Sequence, residues 1–293
     1  MDAESKKDVI SYDELLEKGK KLIENGNNKY DNVKINDNEM SIILFTSGTT
    51  NEPKGVMLSQ NNICSNMTAL EKYLKIYPTD TLLSFLPIHH TFECTITFLF
   101  GIYNGATVAF CDGLRYIQQN LKEYKVSVFV AVPLVLETMY KKIQKTLKEQ
   151  GKTELIEKMT KISNRLLKCH IDLRRIIFKK ILDSLGGHIR IMLYGAAPMG
   201  KDTIIGYTNF GIEQIQGYGL TETSPVISAE TNDRKRPGSI GLVLPNLECK
   251  IEDPDKDGIG EITVKGPSIM LGYYKNEKAT KEVLKDGWFS TGD

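Results

Sequence analysis

Between residues 81 and 216 short apolar, β-branched runs alternate with longer segments of helical periodicity, and this alternation limits the fold more than any other feature of the sequence. Strands are expected at 81–86, 106–111, 127–132, 189–194 and 213–216. Helices are expected at 92–103, 116–124, from 134 onward and at 201–209, with 141–185 long, basic and helical. Strands and helices at this spacing imply βαβ crossovers, hence an α/β fold with a layered, mainly parallel sheet and flanking helices. In such sheets ligands bind beyond the carboxyl ends of the strands. Upstream, Ser11-Tyr12-Asp13-Glu14 reads as a capping box, with Leu15, Leu16, Leu22 and Ile23 on one face of a short helix. A polar loop at 25–38, strands at 40–46 and 56–58 and a helix at 60–74 follow. After Thr223 short strands at 248–252, 261–265 and 268–271 sit between Gly, Pro and Asp turns. That texture predicts a small antiparallel β, barrel-like, subdomain. The expected division is 1–230 for the α/β core and 231–293 for the β subdomain.

Charge and cysteine content exclude several functions. With 38 Lys+Arg against 37 Asp+Glu the net charge is +1, so there is no footprint for nucleic acid. Any anionic ligand must be held by local geometry. The charged N-terminus lacks the apolar core of a secretory signal. The longest apolar stretches, 126–136 and 95–110, are interrupted by Pro133 and by Gly101, Asn104 and Gly105. Both fall short of the roughly 18–20 residues of a membrane span. No transmembrane segment is expected, and peripheral membrane contact stays open. Cys64, Cys94, Cys111, Cys169 and Cys249 are scattered, with no Cys-x-x-Cys pair. They are expected to be small buried apolar side chains in a reduced, cytoplasmic setting.

The residues that carry chemistry lie at the ends of the expected strands. Thr46-Ser47-Gly48-Thr49-Thr50-Asn51-Glu52-Pro53-Lys54-Gly55 offers hydroxyls, glycines and a lysine directly after an apolar strand. Such a loop can wrap a polyphosphate through backbone N–H groups and hydroxyls, with Lys54 as a point charge. It is not a Walker A loop, because no Gly-Lys-Ser/Thr follows the glycine spacing. Leu86-Pro87-Ile88-His89-His90, Tyr194-Gly195-Ala196-Ala197-Pro198, Gln216-Gly217-Tyr218-Gly219-Leu220-Thr221-Glu222 and Gly287-Trp288-Phe289-Ser290-Thr291-Gly292-Asp293 follow in order. Small residues after a strand let backbone approach a flat ring closely.

These five segments together resemble the motifs of the adenylate-forming superfamily, with the texture of its long-chain fatty acyl-CoA synthetases. The resemblance covers about 37–293. It implies a phosphate loop, with Thr46, Ser47, Gly48, Thr49, Thr50 and Lys54, that closes on the ATP phosphates. Thr46 is placed near magnesium and Glu222 on it. His90 lines the acyl channel, with His89 a neighbour of no assigned role. Gly195, Ala196, Ala197 and Pro198 lie against adenine, and Tyr218, within Gln216-Gly217-Tyr218-Gly219, stacks on it. Thr221 contacts phosphate and Asp293 the ribose hydroxyls. The implied catalytic set is Lys54, His90, Thr221 and Glu222.

The implied reaction consumes ATP with Mg2+, joins a fatty acid to AMP with release of pyrophosphate, and passes the acyl group to CoA, a substrate. The family continues into a hinge and a C-terminal small domain that carries a further lysine, and it has about a hundred or more residues before the phosphate loop. The chain reads as a piece of such a protein, incomplete at its N-terminal side and poorly active alone. Two rivals stand beside this reading: a non-catalytic nucleotide-binding module, and an aryl- or amino-acid-activating adenylation domain.

Overall fold

The computed structural model describes residues 10–46, 53–231, 234–236 and 238–293. The chain divides into two compact units, Met1–Asp37 and Asn38–Asp293. The first is built on helix α1 (Tyr12–Glu24), where the Ser11 hydroxyl accepts from the Glu14 N–H at 3.2 Å. Glu14–Lys18 and Glu17–Lys21 ion pairs run one turn apart along it.

The second unit opens with β1 (Met40–Thr46), β2 (Lys54–Ser59) and α2 (Gln60–Leu70). Then come β3 (Thr81–Ser84), a wide π-helical stretch at Phe92–Leu99, α3 (Phe100–Tyr103) and β4 (Thr107–Phe110). Helix α4 (Ile117–Glu123), β5 (Val128–Ala131), α5 (Pro133–Glu149), α6 (Thr153–Lys168), α7 (Arg174–Ile177) and α8 (Lys179–Ser184) follow. Next are β6 (Ile191–Tyr194), α9 (Lys201–Asn209), β7 (Glu213–Gly219), β8 (Val226–Ala229) and β9 (Leu242–Val243). The chain ends through β10 (Glu248–Glu252), β11 (Glu261–Lys265), β12 (Gly272–Tyr273), α10 (Glu277–Val283), β13 (Leu284–Lys285) and β14 (Trp288–Ser290).

The main sheet has the order β4-β3-β5-β6-β7-β8-β9, parallel from β4 to β7 and antiparallel thereafter. Every residue of β5 and β6 is buried, because helices cover both faces. Strand alternation sorts the side chains. Leu83, Phe129, Ala131, Met192 and Tyr194 pack with α5 and α8, whereas Leu82, Val128, Val130, Ile191 and Leu193 pack with α2 and the π-helical stretch. The expected α/β sheet and the small antiparallel sheet, β10-β11-β14-β13, are both present.

Strands β1 and β2 pair antiparallel, and β12 adds to β2. Some local expectations fail. The strand expected at 268–271 forms instead at Gly272–Tyr273, where it meets β2. The segment 141–185 is broken into four helices, with left-handed turns at Gly151 and His170. The cysteines are free thiols and none is buried: Cys64, Cys169 and Cys249 are exposed, and Cys94 and Cys111 are half-buried. Cys169 caps α6, and Cys249 lies on a strand exposed along its whole length, so neither position faces a core. Among the described residues no helix is long and apolar enough to cross a membrane.

The amino ends of the parallel strands are tied by one ion pair. Arg190 Nε donates to Asp80 Oδ1 at 2.9 Å, and a second guanidinium nitrogen donates to Oδ2. Ser127 Oγ also donates to Asp80, at 2.7 Å, and the Arg190 N–H donates to the Ser127 carbonyl. Burial works against the Asp80 carboxylate, but the Arg190, Ser127 and Tyr77 donors outweigh it and its pKa falls below the ordinary value. We expect Arg190→Ala to cost about 3 kcal/mol in urea denaturation, the low end for breaking a buried pair, because Arg190 keeps part of its side chain in water. An unfolded aspartate titrates near about 4. The pair therefore stabilises fully above that value, and its contribution is lost as pH falls through the lower folded pKa. The acid-side loss of stability should be shallower in the variant; an unchanged slope removes Asp80 from this role.

Candidate nucleotide and acyl cleft

Beyond the carboxyl ends of β3, β5, β6 and β7 the chain forms a cleft of about 400 Å³. Leu86, Pro87, His90, Thr91, Phe92 and Glu93 line it from the segment after β3. Val132 follows β5, Gly195 and Ala196 follow β6, and Gly217 to Thr221 come from the end of β7, with Pro225 and Val226 opposite. Of the residues singled out in the sequence, the cleft therefore gathers His90, Gly195, Ala196, Gly217, Tyr218, Gly219 and Thr221. Gln216 stands at its base, where it accepts a hydrogen bond from the Tyr194 hydroxyl at 3.2 Å. Ala197 and Pro198 are exposed and outside the lining.

Close backbone packing shapes the cleft. A Cβ on Gly219 would lie 1.8 Å from the Pro225 carbonyl oxygen, and one on Gly195 would lie 3.0 Å from the Gly217 oxygen. Ala196 adopts a left-handed φ of 68°, which costs an L-residue about 1 kcal/mol or more. Glu93 is fully buried in the wall. Burial pushes its carboxyl above the usual range, against partial relief from the Thr97 hydroxyl, which donates to it at 2.8 Å.

The remaining charged candidates stand beside the cleft, joined to it by two tyrosines. Glu222 follows the lining residue Thr221 and accepts from the Tyr273 hydroxyl at 2.9 Å. Lys54 Nζ lies 5.1 Å from the centre of the same ring, and Thr46 is its cross-strand partner. Three backbone bonds hold this corner: Met270 N–H to the Glu222 carbonyl, Leu271 N–H to Met57 and Tyr274 N–H to Gly55. On the other side the Tyr218 hydroxyl donates to Asp293 at 2.7 Å. Burial, then the neighbouring carboxylate, holds both phenols well above their ordinary pKa. Both remain neutral donors at physiological pH. Ser47, Gly48, Thr49 and Thr50 lie outside the described residues.

Tyr273 carries no signal in the sequence. It reaches Glu222 only because β12 pairs with β2, a contact between segments some two hundred residues apart. Among the described residues no cluster of three His, Cys, Asp or Glu could hold a resident metal. Magnesium that arrives on phosphates needs only one or two protein carboxylates. The partly buried Glu222, which shares Tyr273 with Lys54, suits that donor set.

Residues 2–274 match the family model described as AMP-binding enzyme, and the chain belongs to that family. Long-chain-fatty-acid–CoA ligase 6 of Mus musculus is 34% identical over 273 residues, covering 87% of this chain and 39% of that protein. The chloroplastic long-chain-fatty-acid acyl-carrier-protein ligase AEE15 of Arabidopsis thaliana is 32% identical over 338 residues, covering 97% and 46%. Among solved structures, apo MatB from Rhodopseudomonas palustris superposes with a TM-score of 0.66 at 25% identity, covering 89% of this chain and 46% of MatB. The chain thus spans less than half the length of these relatives.

The Gly219 contact gives a direct test. Gly219→Ala should destabilise the fold by about 3 kcal/mol, the upper range for overpacking, since the collision is with backbone. Gly19→Ala, in an open helical position, should be neutral or stabilising by about 1 kcal/mol. Equal melting temperatures for the two variants would contradict the close approach.

Proposed function

We propose that this chain carries the nucleotide-handling part of ATP-dependent activation of a long-chain fatty acid. The observation that carries the reading is the single cleft that gathers His90, Gly195–Ala196 and Gly217 to Thr221, with Lys54, Glu222 and Asp293 tied to its edges. Adenine rests between the Gly195–Ala196 turn and Tyr218, and the ribose hydroxyls donate to Asp293. The phosphates extend toward Thr46, Lys54 and Thr221. The fatty acid carboxylate approaches past His90. In this division of labour 1–230 binds the base and acyl group, and 231–293 contributes Tyr273 and Asp293.

The first step brings a carboxylate oxygen onto the α-phosphorus and expels pyrophosphate. Two anions must meet, so catalysis consists of positioning and charge neutralisation rather than covalent chemistry by the protein. Lys54 offers a cation, and neutral Tyr273 orients Glu222 by its hydroxyl. Magnesium, when bound with Thr46 and Glu222, would neutralise phosphate charge. The CoA thiol then attacks the acyl carbon of acyl-AMP, forming the thioester and releasing AMP. Curated relatives include both a CoA ligase and an acyl-carrier-protein ligase, and CoA is the acceptor we favour. Five free thiols suit a reduced, cytoplasmic setting.

Mg·ATP at about a hundredfold its dissociation constant should stabilise the chain by about 2.7 kcal/mol, read as a rise in melting temperature. Glu222→Ala should remove the magnesium-dependent part of that rise. Absence of any shift at saturating Mg·ATP refutes a formed nucleotide site. Pyrophosphate release should depend on added palmitate, and release that ignores it would separate nucleotide binding from fatty acid activation.

A further inference from the structure

A second cavity, of about 1190 Å³, lies between α5, α6 and α8 and the turn that leads into α4. It shares no lining residue with the cleft. Its floor is core: Ile143, Leu147 and Phe178 belong to the cluster that packs on the sheet. Its mouth is unusual. Leu114, Leu134, Leu155 and Ile176 line it although each is more than half exposed. Exposed apolar side chains gathered on one hollow mark a binding surface.

The charge on this wall is of one sign. Arg115, Lys142, Lys152, Lys179 and Lys180 line the cavity, and among the described residues no Asp or Glu does. The chain as a whole has 38 basic and 37 acidic residues, so the segregation is local. Lys142 and Lys152 are bonded to neutral Gln118 and Gln150, which leaves their charge unmatched. Lys179 pairs with Asp183 behind the wall. The volume exceeds that of ordinary ligand pockets, about 300–1,000 Å³, and accommodates a long tail with a bulky head.

An apolar floor with a cationic rim matches an anionic amphiphile. Because the site is a hollow and not a plane, a single chain enters it where a bilayer would only touch the rim. With Lys179 set aside on Asp183, four cations still exceed what one carboxylate requires, which favours a head group with several phosphates. We propose that this cavity binds a long-chain acyl-CoA, tail against Ile143 and Leu147 and phosphates on Lys142, Lys152 and Lys180, apart from the nucleotide cleft. The choice of CoA as the head rests on the activity proposed above; the chemistry of tail and charge does not.

The test is titration of the full chain with palmitoyl-CoA below its micellar concentration, with CoA alone and palmitate alone as comparisons. Palmitoyl-CoA should bind about tenfold tighter than either part, since tail and head each contribute. Lys142→Glu combined with Lys180→Glu should weaken it about tenfold, and so should Ile176→Arg. All three positions are exposed, and an unchanged Mg·ATP melting shift verifies that each variant is folded. Tyr218→Ala should reduce the ATP shift and leave palmitoyl-CoA binding intact. Binding that vanishes in Tyr218→Ala, or that ignores both groove variants, places the ligand in the cleft and overturns the proposal. Sedimentation with phosphatidylserine vesicles without binding of the monomeric thioester overturns it as well, in favour of a membrane surface. A chain with no ATP shift that still binds palmitoyl-CoA through the groove keeps this inference and removes the nucleotide reading.

Discussion

One strand has two successive partners, and the cleft depends on that change. The first four residues of β7, from Glu213 to Gln216, pair parallel with β6. The next three, from Gly217 to Gly219, pair antiparallel with β8. A strand that stopped with its parallel neighbours would end level with them and leave an open edge. By running three residues further, β7 lifts Gly217, Tyr218 and Gly219 over the carboxyl ends of β5 and β6. The exchange of partners brings Pro225 so close to Gly219 that a side chain has no room there. Gly219 is therefore a consequence of the strand's path as much as of any ligand.

The two ends of the parallel sheet do different work. At the amino ends Asp80, Ser127 and Arg190 form a closed set of hydrogen bonds that knits β3, β5 and β6. At the carboxyl ends the polar groups are arranged around space. His90 is exposed, Ala196 is strained, and Glu93 is held above its usual pKa by burial. A clamp at one end permits irregularity at the other, because the strands cannot slide while their amino ends are bonded.

The elements legible in the sequence were those whose signal is local. Strands β5 and β6 read as unbroken apolar runs because helices cover both faces. The Ser11 N-cap and the helix at Lys201–Asn209 also follow from neighbouring residues alone. What escaped was long-range pairing. Met40–Thr46 has the same apolar texture as a parallel strand, yet its partner is β2, and β12 joins on the far side. Strand β8, which turns the sheet antiparallel, passed unnoticed inside an ordinary run at 226–229. Tyr273 escaped for the same reason: its meaning comes from Lys54 and Glu222, which only the register brings to it. The cysteines misled because a residue type's average burial says nothing about the face it occupies.

A net charge of +1 leaves the whole molecule little field with which to draw in an anion. In the proposed function recognition must then come from fixed local groups, and the corner at Tyr273 is the one proposed for the phosphates. Lys54 sits over one face of the ring, and the hydroxyl of the same ring donates to Glu222. Burial and that carboxylate hold the phenol neutral, and the ring stands between the lysine and the glutamate. Direct contact would satisfy both charges internally and leave nothing for a phosphate or a magnesium ion. An intervening neutral donor keeps each charged group positioned and leaves it open to a further partner, which suits the metal-bound polyphosphate proposed for this corner.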